Sequence, residues 1–181
     1  MSRNYWSCGL MLIALASFSK LAMSQFSVQQ LHVSSNNTNV QLITELKLIF
    51  TEPLQQAVDH GITLQIVTEF GLPTEYWYGR EIVLLKEIRY FLSRNALSGR
   101  YVVYQQDRNE TRTFPTQTAA LRHISIPPIV LIPAIDLDDA ENIAIRAFVD
   151  TYKLPSPLRL QAFFSRRWSL NTDWTLWPIQ L

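Results

Sequence analysis

The sequence predicts a mostly β protein: an antiparallel β-sandwich or an open barrel-like sheet of about seven strands with two or three short helices. Three observations indicate this class. Apolar residues recur at every second position along most of the chain, the connections between these stretches are short, and one long hairpin spans residues 81–106. Hydrophobic residues make up 48% of the chain, which is enough for a packed core.

The long hairpin is the clearest single element. Its first arm, residues 82–92, places apolar side chains on one face of an extended strand, and only Lys86 interrupts that face. Residues 93–99 reverse the chain, with Gly99 able to adopt a positive φ. The return arm, residues 100–106, is aromatic and β-branched. The predicted inward side chains of the first arm are Ile82, Leu84, Ile88, Tyr90 and Leu92.

Other stretches alternate in the same way, and breaks separate them. Gly71-Leu72-Pro73-Thr74 is expected to end one strand before the aromatic residues that lead into the hairpin. Prolines 127, 128 and 133 allow only an edge or irregular segment over residues 124–135, since proline cannot donate to a ladder. The predicted strands cover residues 26–33, 40–50, 62–70, 142–152 and, last, 158–164.

Two short helices are predicted between the strands. Thr51 can cap the first, Glu52 and Pro53 occupy its first turn, and Gly61 lies where a helix commonly ends. The second is expected over residues 117–123. The tail after residue 164 carries Trp168, Trp174 and Trp177, which are expected either to close one end of the sandwich or to lie at the surface.

The first 24 residues have the features of a secretory signal peptide. Arg3 supplies a positive charge, residues 8–18 are mostly apolar, and Ala22-Met23-Ser24 forms a small-x-small cleavage pattern. Lys20 interrupts the apolar run, which is short for a membrane span of ~20 residues. The start of this leader has no two adjacent arginines, so the general secretion route is expected. Residues 25–181 would then form one domain that has no disulfide, because the only cysteine, Cys8, lies in the leader.

Three motifs follow one another along the chain in a characteristic order. The chain combines the Tyr76-Trp77-Tyr78 cluster, the elbow Leu154-Pro155-Ser156-Pro157-Leu158, and the tail Trp168-Ser169-Leu170-Asn171-Thr172-Asp173-Trp174. It thereby resembles the exported proteobacterial family known as domain of unknown function 4390, over nearly all of the expected mature chain. The resemblance implies a periplasmic location in a Gram-negative bacterium and an accessory role beside a membrane sensor kinase. It implies no activity and no catalytic residue. Family members often have a more regular strand where this chain has its three prolines.

Aromatic and arginine side chains are the strongest candidates for a binding surface. Consecutive aromatics on an extended segment cannot all face the core, and arginine beside an indole is typical of binding hot spots. We therefore expect binding residues in two groups: Tyr76, Trp77 and Tyr78, and Arg166, Arg167 and Trp168. An envelope protein or a small ligand is the expected partner. Nucleic acid is not expected, since 16 basic and 15 acidic residues nearly cancel.

Catalytic and metal-binding patterns are weak, so no enzyme activity, cofactor or metal is expected. His32, His60 and His123 lie in unrelated contexts, and the acidic turn 136–141 lacks the glycine of a calcium loop. Two alternatives stay open. One is a small outer-membrane β-barrel. The other is a hydrolase of an envelope polymer that uses paired carboxylates, for which the candidates are Glu69, Glu75 and Glu81.

Overall fold

Two open antiparallel sheets form the framework of the protein. The computed structural model describes residues 26–35, 38–77, 79–137, 140–168 and 170–179. The smaller sheet has the order β1-β2-β7, and the larger has the order β6-β5-β4-β3-β8-β9. The strands are β1 (Phe26–Ser35), β2 (Asn39–Leu48), β3 (Leu64–Tyr76), β4 (Gly79–Arg94), β5 (Tyr101–Gln105), β6 (Glu110–Phe114), β7 (Val130–Pro133), β8 (Asn142–Val149) and β9 (Thr175–Pro178).

The predicted fold class is confirmed, with nine strands in the described residues rather than about seven. Strands β6 and β9 were not predicted, because β6 is short and largely polar and β9 lies in the tryptophan-rich tail. The two sheets share one hydrophobic core, to which alternate residues of β2, β3, β4 and β8 contribute. Its largest fully buried side chains include Tyr90, Phe26 and Phe70.

The longest hairpin is formed by β3 and β4, which pair from Leu64↔Leu92 to Tyr76↔Gly79. The predicted break at residues 71–74 is therefore wrong, because β3 continues through it. Strand β8 pairs with β3 only as far as Gly71, so among the described residues no strand pairs with that edge of β3 at Pro73, where a proline is tolerated. Tyr76 and Gly79 form the last pair before the chain reverses.

A β-bulge changes which side of β4 faces the core. Phe70 pairs with Lys86 and Gly71 pairs with Leu84, which leaves Leu85 as the extra residue. The predicted inward face is confirmed for Ile88, Tyr90 and Leu92, which are all buried. It is wrong for Leu84, which is 50% exposed, whereas Leu85 packs against the core. The extra residue shifts the two-residue alternation by one step on the tip side of the bulge.

Helices α1 (Glu52–Asp59) and α2 (Gln117–Ser125) confirm the two predicted helices. Gly61 follows α1 with φ +83, as its position predicts. Thr51 precedes α1 but does not cap it with its side chain, since its hydroxyl donates to the backbone oxygen of Arg167 at 2.6 Å. Thr116 does cap α2, because its hydroxyl oxygen accepts a hydrogen bond from the Ala119 backbone N–H at 3.2 Å.

The predicted last strand, residues 158–164, is wrong. These residues belong to helix α3 (Ser156–Phe164). The Leu158 and Arg159 N–H groups donate to the Pro155 backbone oxygen at 2.9 and 3.0 Å, which closes the first turn. Pro157 fits there because the first helical N–H groups have no partner within the helix. Leu158, Leu160, Ala162 and Phe164 recur at every second position, as in a strand, although in the helix they divide between two opposite sides. Alternation alone therefore misassigned this stretch.

Strand β7 and the tryptophan-rich tail both contribute to the fold. Strand β7 lies at the edge of the three-stranded sheet, as the prolines predict. Trp168 is buried in the core. Trp177 is half-buried and packs against the core. No helix among the described residues is long and apolar enough to cross a membrane. The predicted signal peptide, residues 1–24, lies outside those residues.

Candidate functional site

Helix α3 presents apolar side chains to solvent on the side opposite to its buried face. At about 100° per residue, Leu158 and Ala162 fall on one side, while Leu160, Phe163 and Phe164 span an arc of about 100° on the other. Ala162 is buried and Leu158 packs against the core. The helix is therefore held to the protein by small contacts and directs its largest side chains outward.

Four large side chains are highly exposed in this region. Their exposed fractions are 82% for Tyr152, 65% for Leu160, 82% for Phe163 and 82% for Phe164. The Phe163 and Phe164 rings meet edge to face, with centroids 5.2 Å apart. A shallow depression of about 660 Å³ is lined by Tyr152, Arg159, Leu160 and Phe163, among others. We call Tyr152, Arg159, Leu160, Phe163 and Phe164 the α3 surface.

The stretch of chain that contains the α3 surface has basic residues and no acidic residue of its own. Residues 151–172 contain Lys153, Arg159, Arg166 and Arg167 and no aspartate or glutamate. Lys153 and Arg159 are exposed. Acidic side chains reach this segment from outside it: Glu52 of α1 accepts a hydrogen bond from Arg167 at 3.3 Å, Asp150 accepts one from the Tyr152 backbone N–H at 3.0 Å, and Asp173 accepts one from Asn171 at 3.1 Å. The surface thus combines apolar and cationic groups.

The predicted aromatic group at residues 76–78 lies at the tip of the β3–β4 hairpin. Trp77 is 95% exposed and Tyr76 is 41% exposed, while Tyr78 lies outside the described residues. Arg80 donates a 2.7 Å hydrogen bond to Glu75 beside the tip, so charges of both signs occur there. The tip and the α3 surface are at opposite ends of β3, since Val149 pairs with Ile66, and Ile66 to Tyr76 spans about 33 Å.

The predicted group Arg166, Arg167 and Trp168 is divided by the structure. Arg167 is exposed and paired with Glu52, whereas Trp168 is only 8% exposed and belongs to the core. The side chain of Arg166 lies outside the described part of the chain. Trp168 therefore belongs to the core and not to an exposed binding group. The α3 surface was missed by the sequence reasoning, although one-sign charge beside Phe163-Phe164 was a usable signal.

The three candidate carboxylates are not brought to one cleft. Glu69 accepts two hydrogen bonds from Arg146 on the outer face of the larger sheet. Glu75 pairs in register with Arg80, and Glu81 with Thr74, so Glu75 and Glu81 point to opposite faces of the hairpin. Glu69 instead lies opposite Glu87, which accepts from Arg89. Each of these two carboxylates is thus neutralised by its own arginine.

The histidines occupy separate places. His32 is exposed on β1, and the His60 ring hydrogen-bonds the Gln56 backbone oxygen at 2.6 Å at the end of α1. His123 of α2 lies between Tyr90 and Phe114, with ring centroids at 6.5 and 5.2 Å. Burial there, together with the nearby Arg112, holds the pKa of His123 below its ordinary value.

The acidic turn offers no described metal centre. Among the residues that the structure describes, no group of three or more His, Cys, Asp or Glu side chains could hold a metal ion. Asp138 and Asp139 of the turn lie outside them.

Comparison with known sequences identifies a family. The chain matches the family described as Domain of unknown function (DUF4390) over residues 23–178. The chain therefore belongs to this family, as its motifs predict. Neither the curated proteins nor the solved structures contain a match to it.

Proposed function

We propose that this member of the domain of unknown function 4390 family is a non-catalytic binding module of the cell envelope that docks through its α3 surface. One observation carries the proposal: four large side chains, each at least 65% exposed, stand together on an element that the core holds in place. Contiguous exposed apolar patches of this kind mark interaction sites in soluble proteins.

The composition of the α3 surface supports the same conclusion. Aromatic residues and arginine are enriched in binding hot spots, and aromatic rings bury much area at a low cost in conformational entropy. The fold gains little from Phe163 and Phe164, since both are 82% exposed. A docking role explains why these large apolar side chains are exposed to solvent in the free protein.

The envelope location in this proposal rests on the leader. Arg3, the apolar run and the Ala22-Met23-Ser24 pattern favour export to the periplasm by the general secretion route. A membrane sensor kinase is the protein partner that the family resemblance suggests. The exposed Trp77 at the hairpin tip supplies a second contact surface, about 33 Å along β3 from the first.

Site-specific photo-crosslinking in cells tests the proposal. A photoreactive phenylalanine analogue replaces Phe163 in one variant, Trp77 in a second and the fully exposed Leu97 in a control. We expect an adduct at position 163, with a protein or with a phospholipid, that position 97 does not form and that disappears when Leu160 and Phe164 are also changed to serine. An adduct pattern at position 163 that is no different from that at position 97 would contradict the proposal.

A further inference from the structure

We propose that the α3 surface binds the surface of an anionic phospholipid bilayer, so that the protein is a peripheral membrane protein. The inference rests on the proposed function, because it names the occupant of the same docking surface. It concerns adsorption through a surface helix and requires no membrane-spanning segment.

The shape of the surface favours a deformable partner. Leu160, Phe163 and Phe164 project from the outer side of a helix, and Tyr152 projects beside them from the Thr151–Lys153 turn. Side chains that protrude this far need a partner that closes around each of them. Lipid headgroups and acyl chains do so readily, and a shallow apolar helix face is the usual means by which a protein lies in this interface.

The charge distribution selects an anionic bilayer. Residues 151–172 carry four basic and no acidic residues, although the whole chain is nearly neutral with 16 basic and 15 acidic residues. Arg159 lines the same depression as Tyr152, Leu160 and Phe163, so a cation stands next to the apolar side chains. Cationic side chains beside exposed aromatics are attracted to anionic headgroups while the rings enter the interface.

The dimensions of the surface predict reversible binding. Helix α3 has nine residues and is about 13.5 Å long at 1.5 Å per residue. Its apolar side is therefore a single short stripe, which can enter the headgroup boundary but cannot reach across a hydrocarbon core of about 30 Å. A groove on a protein could also take residues spaced as Leu160, Phe163 and Phe164 are. Asp150 and Asp173 flank the segment, but Arg159 stands among its exposed apolar side chains, and this cation favours the bilayer.

Vesicle co-sedimentation tests the inference. The exported protein is mixed with vesicles of phosphatidylglycerol and phosphatidylethanolamine, or of phosphatidylcholine alone. We expect binding to the anionic vesicles that weakens with added salt, and at least about tenfold weaker binding to phosphatidylcholine. Leu160→Ser/Phe163→Ser/Phe164→Ser should weaken binding to the anionic vesicles at least about tenfold. All variants carry the same N-terminus, so the difference between them reports on α3.

Matched controls separate this surface from general stickiness. Leu97→Ser/Arg100→Glu removes an apolar and a cationic side chain from the exposed β4–β5 turn, and this variant should bind as the wild type does. Equal binding of the wild type and the triple serine variant, or no binding to anionic vesicles, would overturn the inference. A protein adduct at position 163 without vesicle binding would overturn it but leave the proposed function standing. If neither a specific adduct at position 163 nor vesicle binding is observed, both the proposed function and this inference are contradicted.

Discussion

Helices α2 and α3 are each nine residues long, but they distribute their apolar side chains in opposite ways. Helix α2 buries Ala120, Leu121 and Ile124 and shows Thr118 and Arg122 to solvent. Helix α3 buries only Ala162 and exposes Leu160, Phe163 and Phe164. Burial of apolar area is the main favourable term in folding, so α2 contributes to the stability of the fold and most of α3 does not. The difference supports our proposal that the outer face of α3 contacts a partner.

The largest contrast is expected in core stability. Ile124→Ala in α2 should lower the free energy of unfolding by about 2–5 kcal/mol, because the side chain is fully buried and its removal leaves a cavity. Phe163→Ala in α3 should change it by no more than about 0.5 kcal/mol, since the ring is mostly in water. Urea denaturation measures both. A large loss for Phe163→Ala would show that its ring is part of the core.

A smaller contrast is expected in charge. Arg159→Glu in α3 should weaken binding to anionic vesicles by at least about fivefold, since each basic residue near such a surface is worth about 1 kcal/mol. Arg122→Glu makes the same charge change on the exposed face of α2 and should leave binding unchanged. Comparable losses in the two variants would mean that net charge, rather than the α3 surface, directs the protein to the bilayer.

The helix starts provide a third contrast. Thr116→Ala removes the side-chain cap of α2 and should cost about 1 kcal/mol of stability. Helix α3 begins after Pro155 without a side-chain cap, so Ser156→Ala should stay within about 0.5 kcal/mol. Thermal unfolding of both variants beside the wild type checks this. Equal costs would show that Ser156 also has a capping role.

The smallest effect concerns pH. The pKa of His123 in α2 is lowered by burial and by Arg112, so the unfolded chain binds this proton more tightly than the folded protein does. The contribution of His123 to the free energy of unfolding is therefore fully present above its pKa in the unfolded chain, about 6.5. This contribution declines as the pH falls below that value. His123→Gln should flatten the curve of unfolding free energy against pH below that value. An unchanged slope in His123→Gln would assign the pH dependence to other groups.

The two helices also mark how far the sequence could predict the molecule. Helix α2 lies where a short helix was predicted, over residues 117–123, and its cap at Thr116 is a local feature of the sequence. In α3, Leu158, Leu160, Ala162 and Phe164 alternate as in a strand although they lie on two opposite sides of the helix, and only the proline-started first turn indicates a helix. The continuation of β3 through Pro73 depended on where β8 ends, which is a tertiary fact. The binding groups at residues 76–78 and 166–168 stay predictions, since exposure alone does not test them.

In our proposal the outer face of α3 is open to solvent in the free protein and is covered by an anionic bilayer when the protein docks. Single-cysteine labelling measures this directly, because Cys8 is the only cysteine and can be changed to serine. We expect Phe163→Cys to react with a maleimide as fast as Leu97→Cys, and to be protected at least about tenfold by anionic vesicles that leave Leu97→Cys reactive. A Phe163→Cys thiol that is unreactive in the free protein, or equally reactive with and without vesicles, would contradict the account.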